Sequence, residues 1–270
     1  MIIIGSILVL LFIILLMGRI NLSAKFGNEV ATLFAESDSM SNHVYQHRQL
    51  EDLPEPVQRY FRYVLKEGQA YISYARIKHD GQFKTGLDKN WINIKGEQYA
   101  TTATPGFIWK GTTALFVARD MYISGKGRLV VLLFSLFKVA DARGEHYNQG
   151  ELLRWLGESL MYPTNLLPSD RLQWQPVDAN TARLSFHYKG LDLFFLITFN
   201  AKGEITEMET KRYMDAEKSE TWVIRASDYQ EWNGVKIPVS FDVIWRLKNG
   251  DLSYAKFNIT HVEYDIAERF

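Results

Sequence analysis

Cysteine is absent from the 270 residues. That excludes disulfides, thiolate metal sites and cysteine nucleophiles, and it leaves the compartment open. An excess of either charge is missing as well, with 31 Lys plus Arg against 31 Asp plus Glu. Balanced charge without a basic block argues against a nucleic-acid surface, so no nucleic-acid partner is expected. Proline is scarce, at 7 residues, and no Pro/Ser-rich linker divides the chain. No second hydrophobic core stands apart from the first. What the chain has is apolar bulk: 47% hydrophobic and 14% aromatic residues, enough for a sizeable core.

Charge is also lacking from residues 2–17, which are almost wholly apolar. The run is slightly short of the roughly 20 residues that span a bilayer, and Met1, Gly18 and Ile20 extend it. A secretory signal would need a basic leader and a small-x-small cleavage site, and neither is present. Residues 1–20 are therefore read as an uncleaved transmembrane anchor, making the membrane the one expected macromolecular surface. Arg19 and Lys25 follow the span, which favours a cytoplasmic domain by the positive-inside rule, although Glu29 and Glu36 dilute the signal.

Residues 21–50 read as a stalk. Phe26, Val30, Leu33 and Phe34 recur at helical spacing and predict a short amphipathic helix near the membrane. Residues 37–41 are a polar break. His43 and His47 would share a helix face, but no third ligand accompanies them, so no metal site is expected.

Residues 51–270 read as one domain. Leu53-Pro-Glu-Pro-Val-Gln-Arg-Tyr-Phe-Arg-Tyr-Val-Leu opens a helix over about 54–66, with prolines at its start and Gly68 at its end. From residue 71 the pattern becomes strands and turns. The expected strands are 71–79, 91–104, 107–118, 121–124 and 128–140, with Asp80-Gly81 and Pro105-Gly106 as turns. Gly125-Lys-Gly lacks the third glycine and following helix of a dinucleotide loop and reads as a tight turn or bulge. Leu129-Val-Val-Leu-Leu-Phe-Ser-Leu-Phe is apolar throughout. Such a strand is covered on both faces or borders an apolar cavity.

A helix over 151–161 interrupts the strands. Asn148 with Glu151 has capping-box spacing. Leu152, Leu153, Leu156 and Leu160 form one face, while Glu151, Arg154 and Glu158 form the other. Strands resume over 171–176, 181–189, 191–200, 204–213, 221–232, 235–247 and 252–264, with Asn233-Gly and Asn249-Gly as hairpin signals. Residues 191–199 are apolar on both faces, and a phase shift between Ile259 and Val262 predicts a bulge. The fold class is mainly β (α+β): one large curved antiparallel sheet, half-barrel-like, with two or three packed helices behind the anchor.

Leu53-Pro-x-Pro-Val-x-Arg-Tyr-Phe, Gly150-Glu-Leu-x-Arg-Trp-Leu-x-Glu, Tyr162-Pro, Leu166 and Gly234-x-x-Ile-Pro with Trp245 resemble an uncharacterised bacterial membrane-anchored family. It is known only as a domain of unknown function. The resemblance covers roughly residues 50–265 and transfers no catalytic residue. The order of elements also resembles the lipoprotein-carrier fold of LolA and LolB, in which a curved sheet holds acyl chains beneath helices. A carrier of that type is usually soluble or lipid-anchored, and this chain departs by its protein anchor; the expectation is a single-pass protein of the bacterial inner membrane, its domain extracytoplasmic by the likeness, against the weak vote of Arg19 and Lys25.

Glu151, Arg154 and Glu158 could hold a polar head group, since a guanidinium between carboxylates is an oriented donor array. The plainer alternative is a surface ion-pair set. Trp109 and Trp155 are candidates to line a cavity, and Leu156 to contact an apolar ligand. His187 is expected to be an ordinary core or surface residue. No catalytic set, cofactor or metal site is evident. The expected function is a membrane-anchored module that binds a lipid or other apolar ligand. The alternatives are an envelope enzyme centred on Glu151, Arg154 and Glu158, and a structural or protein-interaction domain.

Overall fold

The structure, a computed structural model, describes residues 2–40 and 42–270. Strands β1 (Tyr74–Phe83), β2 (Ile92–Thr101), β3 (Gly106–Thr112), β4 (Phe116–Ile123), β5 (Lys126–Leu133) and β6 (Phe137–Arg143) form a first meander. Strands β7 (Leu172–Pro176), β8 (Thr181–Tyr188), β9 (Leu191–Phe199), β10 (Ile205–Tyr213), β11 (Ser219–Trp232), β12 (Val235–Leu247) and β13 (Gly250–Tyr264) form a second. Antiparallel pairing of β1 with β13 joins them into one 13-stranded sheet, with β6 and β7 at its two edges.

That topology places the central helix. The chain leaves β6 at one edge and re-enters at β7 on the other, so the connection must cross a face of the sheet. Helix α3 (Glu145–Glu158) makes the crossing, touching β3, β4 and β5 on one side and β9 and β10 on the other. A sheet that meets both flanks of one helix is strongly curved. The mainly β, half-barrel-like fold expected from the sequence is the fold observed.

Two further α-helices complete the described residues. In α2 (Glu55–Val64), Pro54 occupies the cap position and Val57, Tyr60, Phe61 and Val64 are buried. Helix α1 (Ile2–Ala35) is continuous for 34 residues. It runs through residue 21 without a break. The face carrying Phe26, Val30, Leu33 and Phe34 packs on Tyr99, Ile108 and Met121, on the sheet surface away from α3. Glu29 pairs there with the buried Arg119 of β4. The polar segment after Ala35 matches the expected break, of which Ser41 lies outside the described residues.

Several boundaries differ from the sequence expectation. Helix α3 starts at Glu145 behind Gly144, whose φ of 128° suits glycine. Asn148 is not its cap; its Oδ1 accepts the Gly127 N–H at 2.8 Å. The helix ends at Glu158, and a 3-10 turn, Ser159–Met161, follows. Asp80-Gly81 is no turn. Asp80 pairs with Lys95 and Asn258 on either side, and a Cβ on Gly81 would meet the Lys256 carbonyl oxygen at 2.2 Å.

The expected strands over 107–118 and 128–140 are each hairpins. Thr113 turns the first, its Oγ1 accepting the Phe116 N–H at 3.0 Å. Phe134 and Ser135 turn the second with φ of 52° and 62°. That is a primed turn built without the usual Asn or Gly, so nothing in the sequence announced it. Strand β9 is buried on one face only, and its outward Phe194 carries the Arg183 guanidinium 4.3 Å above the ring. The bulge near Ile259 is present: Lys78 pairs with His261 and His79 with Ile259, leaving Thr260 over.

Candidate functional site

Side chains of successive strands line up in cross-strand rows on the concave face. One row runs Ile77, Gln98, Trp109, Asp120, Leu129. The next runs His79, Gly96, Gly111, Ala118, Val131. The small residues of the second row leave a hollow that two rings partly occupy. A Cβ on Gly96 would sit 1.8 Å from His79 Nε2, and one on Gly111 would sit 2.2 Å from the Trp109 indole. Trp109 Nε1 donates to His79 Nε2 at 2.8 Å. Because indole only donates, that nitrogen must be the bare one, and His79 carries its proton on Nδ1. Burial pushes the imidazole down to about 4, so it is neutral.

Helix α3 turns its two faces as the 3.6-residue period requires, but the cleft lies on the polar side. Leu152, Leu153, Leu156 and Leu160 are fully buried in the main core. Trp155 joins them, donating to the Thr101 carbonyl at 2.8 Å with its ring 5.5 Å from that of Phe186. Neither Trp155 nor Leu156 is among the residues that line the cleft. Glu151, Arg154 and Glu158 do line it, together with Trp109. Gly157 lets the helix settle, since a Cβ there would meet Ile224 Cδ1 at 2.4 Å.

The polar group is buried and interlocked. Arg154 donates from Nη1 to Asp120 Oδ2 at 2.6 Å and from Nε to Glu158 Oε1 at 2.8 Å. Gln98 Nε2 donates to Glu158 Oε2 at 2.7 Å. The guanidinium also lies 4.9 Å from the Trp109 ring centre, within cation–π range. Burial works against its charge, yet Glu158, Asp120 and Glu151 outweigh that and hold its pKa above the ordinary value. Across the cleft, Arg212 pairs with Glu151 at 3.4 Å and stacks 4.5 Å from Trp222. No local pattern pointed to Asp120, Gln98, His79 or Arg212, because only the sheet register and the curvature bring them to α3.

Among the described residues, two oxygens in this group have no hydrogen-bond partner: Asp120 Oδ1 and Glu151 Oε2. Burial, and next the Asp120 charge, push the Glu151 carboxyl up to about 8. Burial raises Asp120 too. An unpaired buried acceptor costs on the order of 1–3 kcal/mol, so a ligand hydroxyl or ammonium would relieve that cost here.

The cleft has a volume of about 800 Å³. Most of its wall is apolar, including Leu129, Val131, Phe241, Val243 and Trp245. Phe83, Lys84, Phe116, Leu133 and Met214 line it at partly exposed positions and Val139 at an exposed one. Other candidates lie elsewhere. His187 pairs with Asp192 at an exposed position, His47 lies by Glu67, and Gly125 with Ser124 makes a tight turn. Among the described residues, no group of three His, Asp or Glu side chains is disposed to hold a metal ion.

Residues 43–257 match a family described as a family of unknown function, DUF6544. The chain belongs to that family. No curated protein matches it. Among solved structures, a LolA superfamily protein from Nitrosomonas europaea is similar at 8% identity and a TM-score of 0.42, over 78% of this chain and 92% of that one. A DUF1329 family protein from Desulfovibrio piger is similar at 12% identity and a TM-score of 0.33, over 73% and 87%. These likenesses are distant.

Proposed function

We propose that this DUF6544 family member is a membrane-tethered binding module whose cleft holds an amphiphile. The observation that carries the reading is a hollow of about 800 Å³, apolar along its walls, with two unpartnered carboxylate oxygens inside. Small-ligand sites commonly measure roughly 300–1,000 Å³. An acyl or isoprenoid chain would lie along Leu129, Val131, Phe241 and Val243, each buried methylene contributing about 0.8 kcal/mol. A hydroxyl head would donate to Asp120 Oδ1 and accept from the protonated carboxyl of Glu151 at Oε2. Helix α1 supports the tether: its N-terminal half is apolar and projects from the domain, and it is long enough to cross a membrane.

The test uses the full chain in lipid nanodiscs, with native mass spectrometry and a fluorescent fatty-alcohol probe. The wild type should retain a co-purifying amphiphile and bind the probe. Ala118→Trp, which fills the hollow, should lose both while unfolding at a similar temperature. A wild type that binds neither would overturn the reading.

A second reading, hydrolysis by a carboxylate pair, has one observation in its favour: Glu151, raised to about 8, stands beside Asp120 in a cleft. Turnover of an amphiphilic ester or glycoside that Glu151→Gln abolishes while probe binding persists would select it.

A further inference from the structure

Helix α1 does more than tether. It runs along the outer sheet surface from Leu33, which lies against Gly106, towards the turns that join β3 to β4 and β5 to β6. Leu136 in the second turn packs directly on Gly18, where a Cβ would come within 2.3 Å of its Cδ2. The first turn, with Thr113, Ala114 and Leu115, shares a groove of about 340 Å³ with Leu15, Arg19 and Leu22. Both hairpin tips therefore stand level with residues 15–22 of α1.

That level is where a bilayer would end. A hydrocarbon core of ~30 Å takes about 20 helical residues at 1.5 Å each. Among the described residues, the exposed apolar side chains of α1 run from Ile3 to Ile20, close to that length. Arg19, the first charge after the apolar run, falls at the same boundary, and its long stem can carry the guanidinium out to the head groups.

The tips carry the apolar side chains such a boundary would accept. Leu115 is 57% exposed, Phe134 44%, Phe137 63% and Val139 61%. Beyond α1 itself, these four are half of the eight large exposed apolar side chains among the described residues, and Leu115 and Phe134 share the groove beside the helix. Leu133 and Phe116, each adjacent in sequence to a tip, line the cleft at partly exposed positions, as does the exposed Val139, so the cleft reaches the surface beside the tips.

We propose that the two hairpin tips insert into the bilayer interface beside α1, with Leu115, Phe134 and Phe137 as the immersed side chains. The cleft mouth then opens onto the lipid surface, and the amphiphile enters from the bilayer that holds the anchor. The insertion rests on α1 being a membrane span. The entry route rests also on the cleft being a lipid site.

The test exploits the lack of native cysteine. Full-length Leu8→Cys, Leu115→Cys, Phe137→Cys and Val177→Cys proteins are labelled with an environment-sensitive fluorophore and reconstituted in phosphatidylcholine vesicles. Some of the lipid carries a nitroxide near the top of the acyl chain. Val177, exposed on the turn after β7, is the aqueous control. Labels at 8, 115 and 137 should be quenched severalfold more than the label at 177. Quenching at 8 with none above control at 115 and 137 would leave the anchor standing and overturn tip insertion. No quenching at 8 would overturn the span and the proposal with it.

Entry is read separately, from Leu115→Ser/Phe137→Ser. This variant should bind the fatty-alcohol probe in micelles as the wild type does, yet take it up from vesicles severalfold more slowly. Equal uptake from vesicles would overturn the entry route, whatever the quenching shows. Failure of both proteins to bind the probe at all would overturn the cleft reading instead.

Discussion

Arg154 on α3 and Asp120 on β4 meet at 2.6 Å inside the cleft, 34 positions apart in the chain. The pair fixes the crossing helix to the first meander. Glu158 and Gln98 complete its hydrogen bonding, so the charges that line the cleft also hold its roof in place.

Breaking that pair from one side should be costly. Arg154→Met leaves the part-buried Asp120 and Glu158 without their cation, and removing one partner of a fully buried pair, the upper bound here, typically costs about 3–5 kcal/mol. Chemical denaturation should show a loss of that order. Adding Asp120→Asn and Glu158→Gln should recover part of it. An Arg154→Met protein as stable as the wild type would mean that the pair contributes nothing to fixing α3.

Stability should depend on pH through Glu151. Its folded value of about 8 stands above its ordinary 4.5. Between those values the folded chain keeps a proton that the unfolded chain has released, so this group makes stability fall as pH rises from 4.5 to 8. The slope is at most on the order of 1.4 kcal/mol per pH unit. Glu151→Gln should flatten the decline, measured by denaturation at pH 5, 6, 7 and 8.

His79 acts with the opposite sign. Its folded value of about 4 lies below its ordinary 6.5. Between pH 4 and 6.5 the unfolded chain binds a proton that the folded chain does not, so stability gained from this group rises across that window. His79→Phe should remove the rise and also free the Trp109 N–H, which a change in tryptophan fluorescence would report.

Gly96→Ala should displace the His79 ring, because the new methyl would meet it at 1.8 Å. Overpacking of this kind costs about 1–3 kcal/mol. The Trp109–His79 hydrogen bond should lengthen, visible as a shift of the indole N–H resonance, and probe affinity should fall as the hollow changes shape. An unshifted resonance would place the ring elsewhere.

Truncation should separate the two halves of α1. Removing residues 1–20 leaves Phe26, Val30, Leu33 and Phe34 on the sheet, so the domain should stay folded and leave the membrane pellet. Removing residues 1–36 uncovers Tyr99, Ile108 and Met121 and should lower the unfolding temperature markedly. Equal stability of the two truncations would mean that the packed half contributes little.

Local periodicity settled the element types. The apolar run at the start, the prolines before α2, the two faces of α3 and the alternation of Phe241, Val243 and Trp245 each depend on residues within one or two turns of one another. The phase slip at Ile259 was legible for the same reason. Boundaries failed where a turn used unsignalled residues, as at Phe134 and Ser135, or where a glycine served close packing, as at Gly81.

The cleft was decided at a longer range. Sequence spacing put Glu151, Arg154 and Glu158 on one helical face but could not say whether that face met water or protein. The crossing from β6 to β7 forced α3 onto the concave side, and the curvature then enclosed its polar face while the leucines took the core. Register placed Gly96, Gly111 and Ala118 in one row and brought Asp120, Gln98 and His79 beneath the helix. None of those neighbours is close in sequence, and hydrogen-bond pairing across the sheet is what makes them neighbours in space.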